Sequence, residues 1–142
     1  MIEENLDPDW IGEVTEEEEI YRENVLDHFK NPRNFGKLDL NTFSHKEFNP
    51  VCGDQIEIFV HLSNGNVTDV KFTAKGCAIS VAGASILTEK IKGMSIEDLR
   101  NLKKEEVLEM IGIPLGIVRM KCGLLCLKTL MNGLKIFEGK NE

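Results

Sequence analysis

The chain has no apolar run long enough to span a bilayer, and its first residues hold no basic segment leading into an apolar stretch. Neither a membrane anchor nor a signal peptide is expected, and a cytoplasmic location is the default. Residues 1–19 contain no lysine or arginine but nine acidic groups, while the remainder carries fifteen acidic and seventeen basic residues. The net charge of −7 is therefore concentrated in the first nineteen residues, and the remainder of the chain is near neutral. No basic stripe suggests a nucleic-acid surface. Cysteine is scarce, at four residues. In a cytoplasmic chain this argues against a disulfide framework and towards metal or thiol chemistry. At 142 residues and 42% hydrophobic content, the chain is long enough for one domain with a real core. Residues 1–14 read as an acidic flexible leader and 15–142 as a single domain.

The most informative stretch runs from Asn49 to Cys77. Ile56, Ile58, Val60 and Leu62 alternate with other residues, the period of a half-buried strand. Asn64-Gly65 follows, a pair suited to a two-residue type I′ turn, and the chain returns through Val70, Phe72 and Ala74. With Ser63 facing Asn66, paired residue numbers total 129, as do those of Cys52 and Cys77. Carried to the open end, this register sets the two thiols opposite each other, with Cβ atoms roughly 4.5–5.5 Å apart. Asp54 would point to the face that Cys52 uses.

Upstream, Thr15-Glu16-Glu17-Glu18 fits a capping box for a helix ending near Lys30, with Tyr21, Val25 and Phe29 on its apolar stripe. Residues 42–48 read as a third strand paired with the hairpin. His28, His45 and His61 have no partners at ligand spacing and are expected not to bind metal.

After Cys77, residues 78–87 are apolar on more than one face and rich in small side chains. This predicts a buried helix in close backbone contact with the sheet, with Cys77 at its positive end, where thiolate is favoured. Short solvated helices are expected from Ser95 and over residues 104–111, the second stopped by Gly112 and Pro114. Residues 112–121 read as an apolar loop. A last helix is expected from Cys122 to about Phe137, with Leu127, Leu130, Met131, Leu134 and Phe137 on one stripe. That would put Cys122 in its first turn beside Lys121 and Arg119. Cys126 reads as a small buried hydrophobe.

Cys52, Asp54, Cys77 and Cys122 would make a set of three thiolates and one carboxylate. Such a set suits tetrahedral Zn²⁺ or an iron–sulfur cluster, not Mg²⁺ or Ca²⁺. A permanent cluster usually has thiolates throughout. One carboxylate oxygen makes a less committed site, fit for a metal or cluster that must leave again.

Several segments give the chain a wider resemblance. They are residues 21–34 (Tyr-Arg-Glu-Asn-Val-Leu-Asp-His-Phe-Lys-Asn-Pro-Arg-Asn), Asn49-Pro50-Val51-Cys52-Gly53-Asp54, Lys75-Gly76-Cys77-Ala78-Ile79-Ser80, and Lys121-Cys122. Through these the chain resembles the iron–sulfur cluster assembly scaffold family, the NifU N-terminal, IscU and SufU group. The resemblance covers about residues 20–134. It implies an α+β fold with a small three-stranded antiparallel sheet packed against several helices. It also implies that Cys52, Asp54, Cys77 and Cys122 hold a transient 2Fe-2S cluster, or Zn²⁺ in the same place. Gly53, Gly76, Lys121 and Arg119 would support them, and Cys126 is a possible extra ligand.

The implied activity is a hand-over rather than an enzymatic turnover. A cysteine desulfurase delivers sulfane sulfur to a scaffold thiolate, iron joins, and the cluster passes to apo iron–sulfur proteins or carrier proteins. Cys122 is the first candidate acceptor, because an acceptor should be an exposed thiolate at a basic helix start, and Cys52 is the second. Two departures qualify the likeness. Lys121 stands where IscU-type members have His, which is SufU-like, yet the short interval from Cys77 to Cys122 is IscU-like. Leu115-Gly116-Ile117-Val118-Arg119 replaces Leu-Pro-Pro-Val-Lys, which weighs against an Hsp70-type chaperone partner. The alternative reading is a zinc-bound sulfurtransferase that relays persulfide from the desulfurase.

Overall fold

The computed structural model describes residues 16–140. Thr15 of the expected capping box and the acidic leader lie outside them. Helix α1 (Glu16–Lys30) opens with four glutamates, whose charge complements the helix dipole. Its buried edge is Val25 and His28, three residues apart, rather than the expected stripe through Phe29, which is 41% exposed. The reason is the partner helix, which offers His28 a serine hydroxyl at 2.7 Å.

Residues 34–36 then run along the outer edge of the sheet, where the Gly36 N–H donates to the Phe72 carbonyl and the Phe72 N–H to the Asn34 carbonyl. The sheet is β1 (Phe43–Asn49), β2 (Asp54–Ser63) and β3 (Asn66–Lys75), antiparallel in that order. Ile56, Ile58, Val60, Val70 and Phe72 have no exposure and form its core face. Asn64 and Gly65 turn the β2–β3 hairpin with φ of 55° and 77°, as its two-residue loop requires.

The hairpin register departs from the expected one. Ser63 does face Asn66, but a bulge between His61 and Leu62 leaves Thr68 unpaired and shifts all later pairs by one residue. The physical reason lies in the side chains. The unshifted register would set Val60 against Asp69 and Ile58 against Lys71. The bulge sets Val60 against Val70, Ile58 against Phe72 and Ile56 against Ala74. The ladder ends at Gln55 and Lys75, so Cys52 and Cys77 are not brought together by strand pairing.

Four helices follow. In α2 (Ala78–Ile91) nearly every residue from Ile79 to Thr88 is buried, as expected. It packs on the sheet and also approaches the last helix closely. A Cβ on Gly83 would stand 3.0 Å from the Gly123 carbonyl oxygen. α3 (Ile96–Arg100) is capped by Ser95, whose hydroxyl accepts the Asp98 N–H. α4 (Lys104–Ile111) stops at Gly112 with φ of 74°. Both give apolar side chains to the core (Leu99, Val107 and Ile111), so only their outer faces are solvated.

Helix α5 (Ile117–Lys140) begins five residues earlier than expected and absorbs half of the presumed apolar loop. It packs on β1 and β2, while α2 packs on β3. Leu127, Leu130 and Leu134 are buried, and Phe137 stacks on Phe43 with ring centroids 5.4 Å apart. Among the described residues no helix is long and apolar enough to cross a membrane.

Candidate metal centre

Three places in the chain meet at the end of the sheet near the start of β2. The first is the turn between β1 and β2. The Gly53 N–H donates to the Asn49 carbonyl at 2.8 Å, closing the loop around half-buried Cys52, and Gly53 has φ of +70°. The Asn49 side chain accepts the Val51 N–H and directs its own amide towards Cys122 Sγ, 3.9 Å away. Asn49, buried itself, thus ties the hairpin tip to α5.

The second is the junction of β2, β3 and α2. Asp54 opens β2 and is 1% exposed. One carboxylate oxygen accepts the Cys77 N–H at 3.0 Å, and the other accepts the Ser80 hydroxyl at 2.8 Å. Cys77 is the N-cap of α2 but its own side chain caps nothing. Asp54 supplies from another strand the anionic acceptor that a helix start favours. This arrangement requires glycine at 76. A Cβ there would stand 2.2 Å from Asp54 Oδ1, and φ is +153°.

The third is α5. Cys122 lies in its second turn with no exposure, not in an exposed first turn as expected. Its thiol faces Cys52 Sγ at 3.3 Å. Donor atoms of Cys52, Asp54 and Cys122 all lie within 4.8 Å of one another. Cys77 Sγ is 4.0 Å from Asp54 Oδ2 and 3.6 Å from the Ser80 hydroxyl. Ligand atoms around a tetrahedral ion with bonds of about 2.0–2.3 Å stand about 3.3–3.8 Å apart. The Cys52, Asp54 and Cys122 donors need little contraction to take that shape, while Cys77 stands outside that group, beside Asp54 and Ser80. All four cysteines are free thiols.

The charge distribution is uneven. Burial pushes Asp54 up, but hydrogen bonds from Cys122, Ser80 and the Cys77 N–H, with the Arg119 charge, hold it below the usual carboxylate range. Burial also opposes ionisation of Cys77, and hydrogen bonds from the Ser80 backbone and side chain and from Cys122 outweigh it. Cys122 moves the other way. Burial raises it, and hydrogen bonding with Asp54, Cys52 and Cys77 raises it further. A cation entering this group must therefore displace the Cys122 proton, so binding would release acid.

Asp54 and the thiols of Cys52 and Cys122 come together, Cys77 stands beside Asp54, and Cys126 is apart. It is walled into the core one turn further along α5, and burial pushes its thiol up to about 12. Lys121 is exposed and lines an open groove of about 390 Å³ beside the hairpin tip, with Phe48, Val51 and Lys128 among its walls. The three histidines pair elsewhere, with Ser85, Glu47 and Thr68. The sequence reading assigned no role to Ser80 or Asn49. Ser80 stands three residues after Cys77, a spacing that turns a hydroxyl on α2 back towards its N-terminus.

A small antiparallel sheet under helices, with thiols and a carboxylate gathered at one end, defines an α+β domain carrying a soft-metal donor set. The chain belongs to the NifU-like N terminal domain family, whose model matches residues 20–142. Its relatives are the IscU and SufU proteins of iron–sulfur cluster assembly. It is 34% identical over 122 residues to "Iron-sulfur cluster assembly scaffold protein IscU 1" of Archaeoglobus fulgidus, covering 86% of this chain and 79% of the relative. It is also 34% identical over 139 residues to "Zinc-dependent sulfurtransferase SufU" of Bacillus subtilis, covering 86% of this chain and 94% of that one. The fold matches the crystal structure of a NifU-like N-terminal protein from Brucella abortus with a TM-score of 0.71 and 21% identity, over 87% of this chain and 97% of the other.

Proposed function

We propose that this protein is a scaffold on which a 2Fe-2S cluster is assembled from sulfur supplied by a cysteine desulfurase and then passed to apo-proteins. Cys52, Asp54, Cys77 and Cys122 hold the cluster, in a cytoplasmic setting. The observation that carries the reading is the donor set itself, in which three thiols from separate elements meet one carboxylate. Three sulfurs suit iron or zinc, and the oxygen gives the position from which cargo can be released.

Sulfur arrives as a persulfide on the donor. A scaffold thiolate attacks the outer sulfur, the donor S–S bond breaks, and the donor cysteine leaves as thiolate. Exposure favours Cys52 as acceptor over Cys122, because Cys52 is half-buried on the hairpin tip and Cys122 has no exposure. Cys122 Sγ at 3.3 Å is then the next sulfur inward. Cys52→Ser should abolish persulfide transfer measured by mass spectrometry, whereas Cys122→Ser should still accept it. The reverse pattern would return the role to Cys122.

A second reading is a zinc-bound sulfurtransferase relaying persulfide, favoured by the likeness to the Bacillus protein and by Lys121. Anaerobic reconstitution with iron, sulfide and a thiol reductant separates the two. A scaffold takes up iron and acid-labile sulfide with the Mössbauer signature of a 2Fe-2S centre. Tight zinc that iron cannot displace would establish the relay instead.

A further inference from the structure

The Ser80 hydroxyl is fully buried. It donates to Asp54 Oδ2 at 2.8 Å while its oxygen stands 3.6 Å from Cys77 Sγ. A carboxylate turns easily about its last torsion, because a terminal sp³–sp² bond has broad minima. One hydrogen bond, from the Cys77 N–H to Oδ1, leaves that rotation open. The Ser80 bond to the second oxygen removes it. The two donors come from the first turn of α2, so the carboxylate plane is referred to a rigid element. The remaining lone pairs stay within reach of Cys52 and Cys122.

We propose that Ser80 is a positioning residue for the metal centre, holding the Asp54 carboxylate in the orientation from which one oxygen binds the cation. This rests on the reading of Asp54 as a ligand. The physical reason is preorganisation. A ligand fixed before the ion arrives loses no rotational freedom on binding, and outer hydrogen bonds of this kind are worth about 10–100-fold in metal affinity.

The test uses Co²⁺ alone with the full chain under anaerobic conditions, reading visible ligand-field bands and a dissociation constant from competition with a chelator. Wild type, Ser80→Ala, Asp54→Ala and the double variant are compared, with thermal melts of each metal-free protein. Ser80→Ala is expected to weaken cobalt binding roughly tenfold and to shift the ligand-field bands. In the Asp54→Ala background the same change should cost nothing further, because the group that Ser80 orients is gone. Three results overturn the proposal: wild-type affinity in Ser80→Ala, an equal loss with and without Asp54, or a Ser80→Ala protein that does not fold, which would make the hydroxyl structural. If Asp54→Ala binds cobalt as wild type does, the ligand reading itself fails, and the two failures are distinguishable.

Discussion

Helix α2 carries two serines five residues apart, both without exposure, and they serve different ends of the molecule. Ser85 accepts the Arg33 N–H at 2.8 Å and pairs with His28 Nδ1 at 2.7 Å, which fastens α1 and the loop after it to the core. Its partners are a backbone group and a buried imidazole ring. Ser80 ends on a carboxylate that also accepts the Cys77 N–H and stands beside thiols. A buried hydroxyl between satisfied neutral groups is a fastening. One that holds an anion beside unpaired sulfurs prepares a site. The two cysteines of α5 repeat the lesson, since Cys122 faces another sulfur while Cys126, four residues on, faces only the core.

If the two ends of α2 are independent, variants should separate stability from metal binding. The largest effect is expected from Gly76→Ala, which drives a methyl into the Asp54 carboxylate at an unfavourable φ. It should cost about 3 kcal/mol in urea unfolding and also abolish tight cobalt binding. At the other end, His28→Ala leaves Ser85 short of a partner and should cost about 2 kcal/mol while cobalt affinity stays unchanged. A matching loss of affinity would show that the seam and the site are one unit.

Acid sharpens the same comparison. Burial, followed by the Arg33 charge, lowers the His28 pKa from its ordinary 6.5, against weaker opposing effects of Glu89 and Asp27. The fold therefore prefers the neutral ring. Its contribution is complete above pH 6.5 and is lost as pH falls from 6.5 towards the depressed folded value, because the unfolded chain binds the proton first. His28→Gln should flatten that part of the stability profile measured by urea titration. The smallest effect belongs to Cys126→Ala, expected to cost about 1 kcal/mol by loss of packed volume and to leave metal binding as it was.

Much of this was legible in the residues because it is local. The Asn64-Gly65 turn, the stop at Gly112, the serine cap at Ser95 and the buried character of α2 each follow from neighbours within a few positions. The bulge was legible too, but only by asking which register pairs apolar residues with apolar residues instead of extending the turn geometry. The early start of α5 was obscured because Gly116 and the β-branched Ile117 and Val118 are weak helix formers, yet the last two join the helix while remaining exposed. His28 could not be placed, since its partner is 57 residues away.

The amino-acid order alone determined the element types, the tight turns and which side chains could bind a soft metal, since short-range backbone preferences and donor chemistry decide those. Only the folded chain decided that Cys122 is enclosed and Cys52 open, and that Ser80 holds Asp54. Those outcomes depend on where α5 and α2 cross the end of the sheet, and that crossing is set by long-range packing such as the Gly83–Gly123 approach.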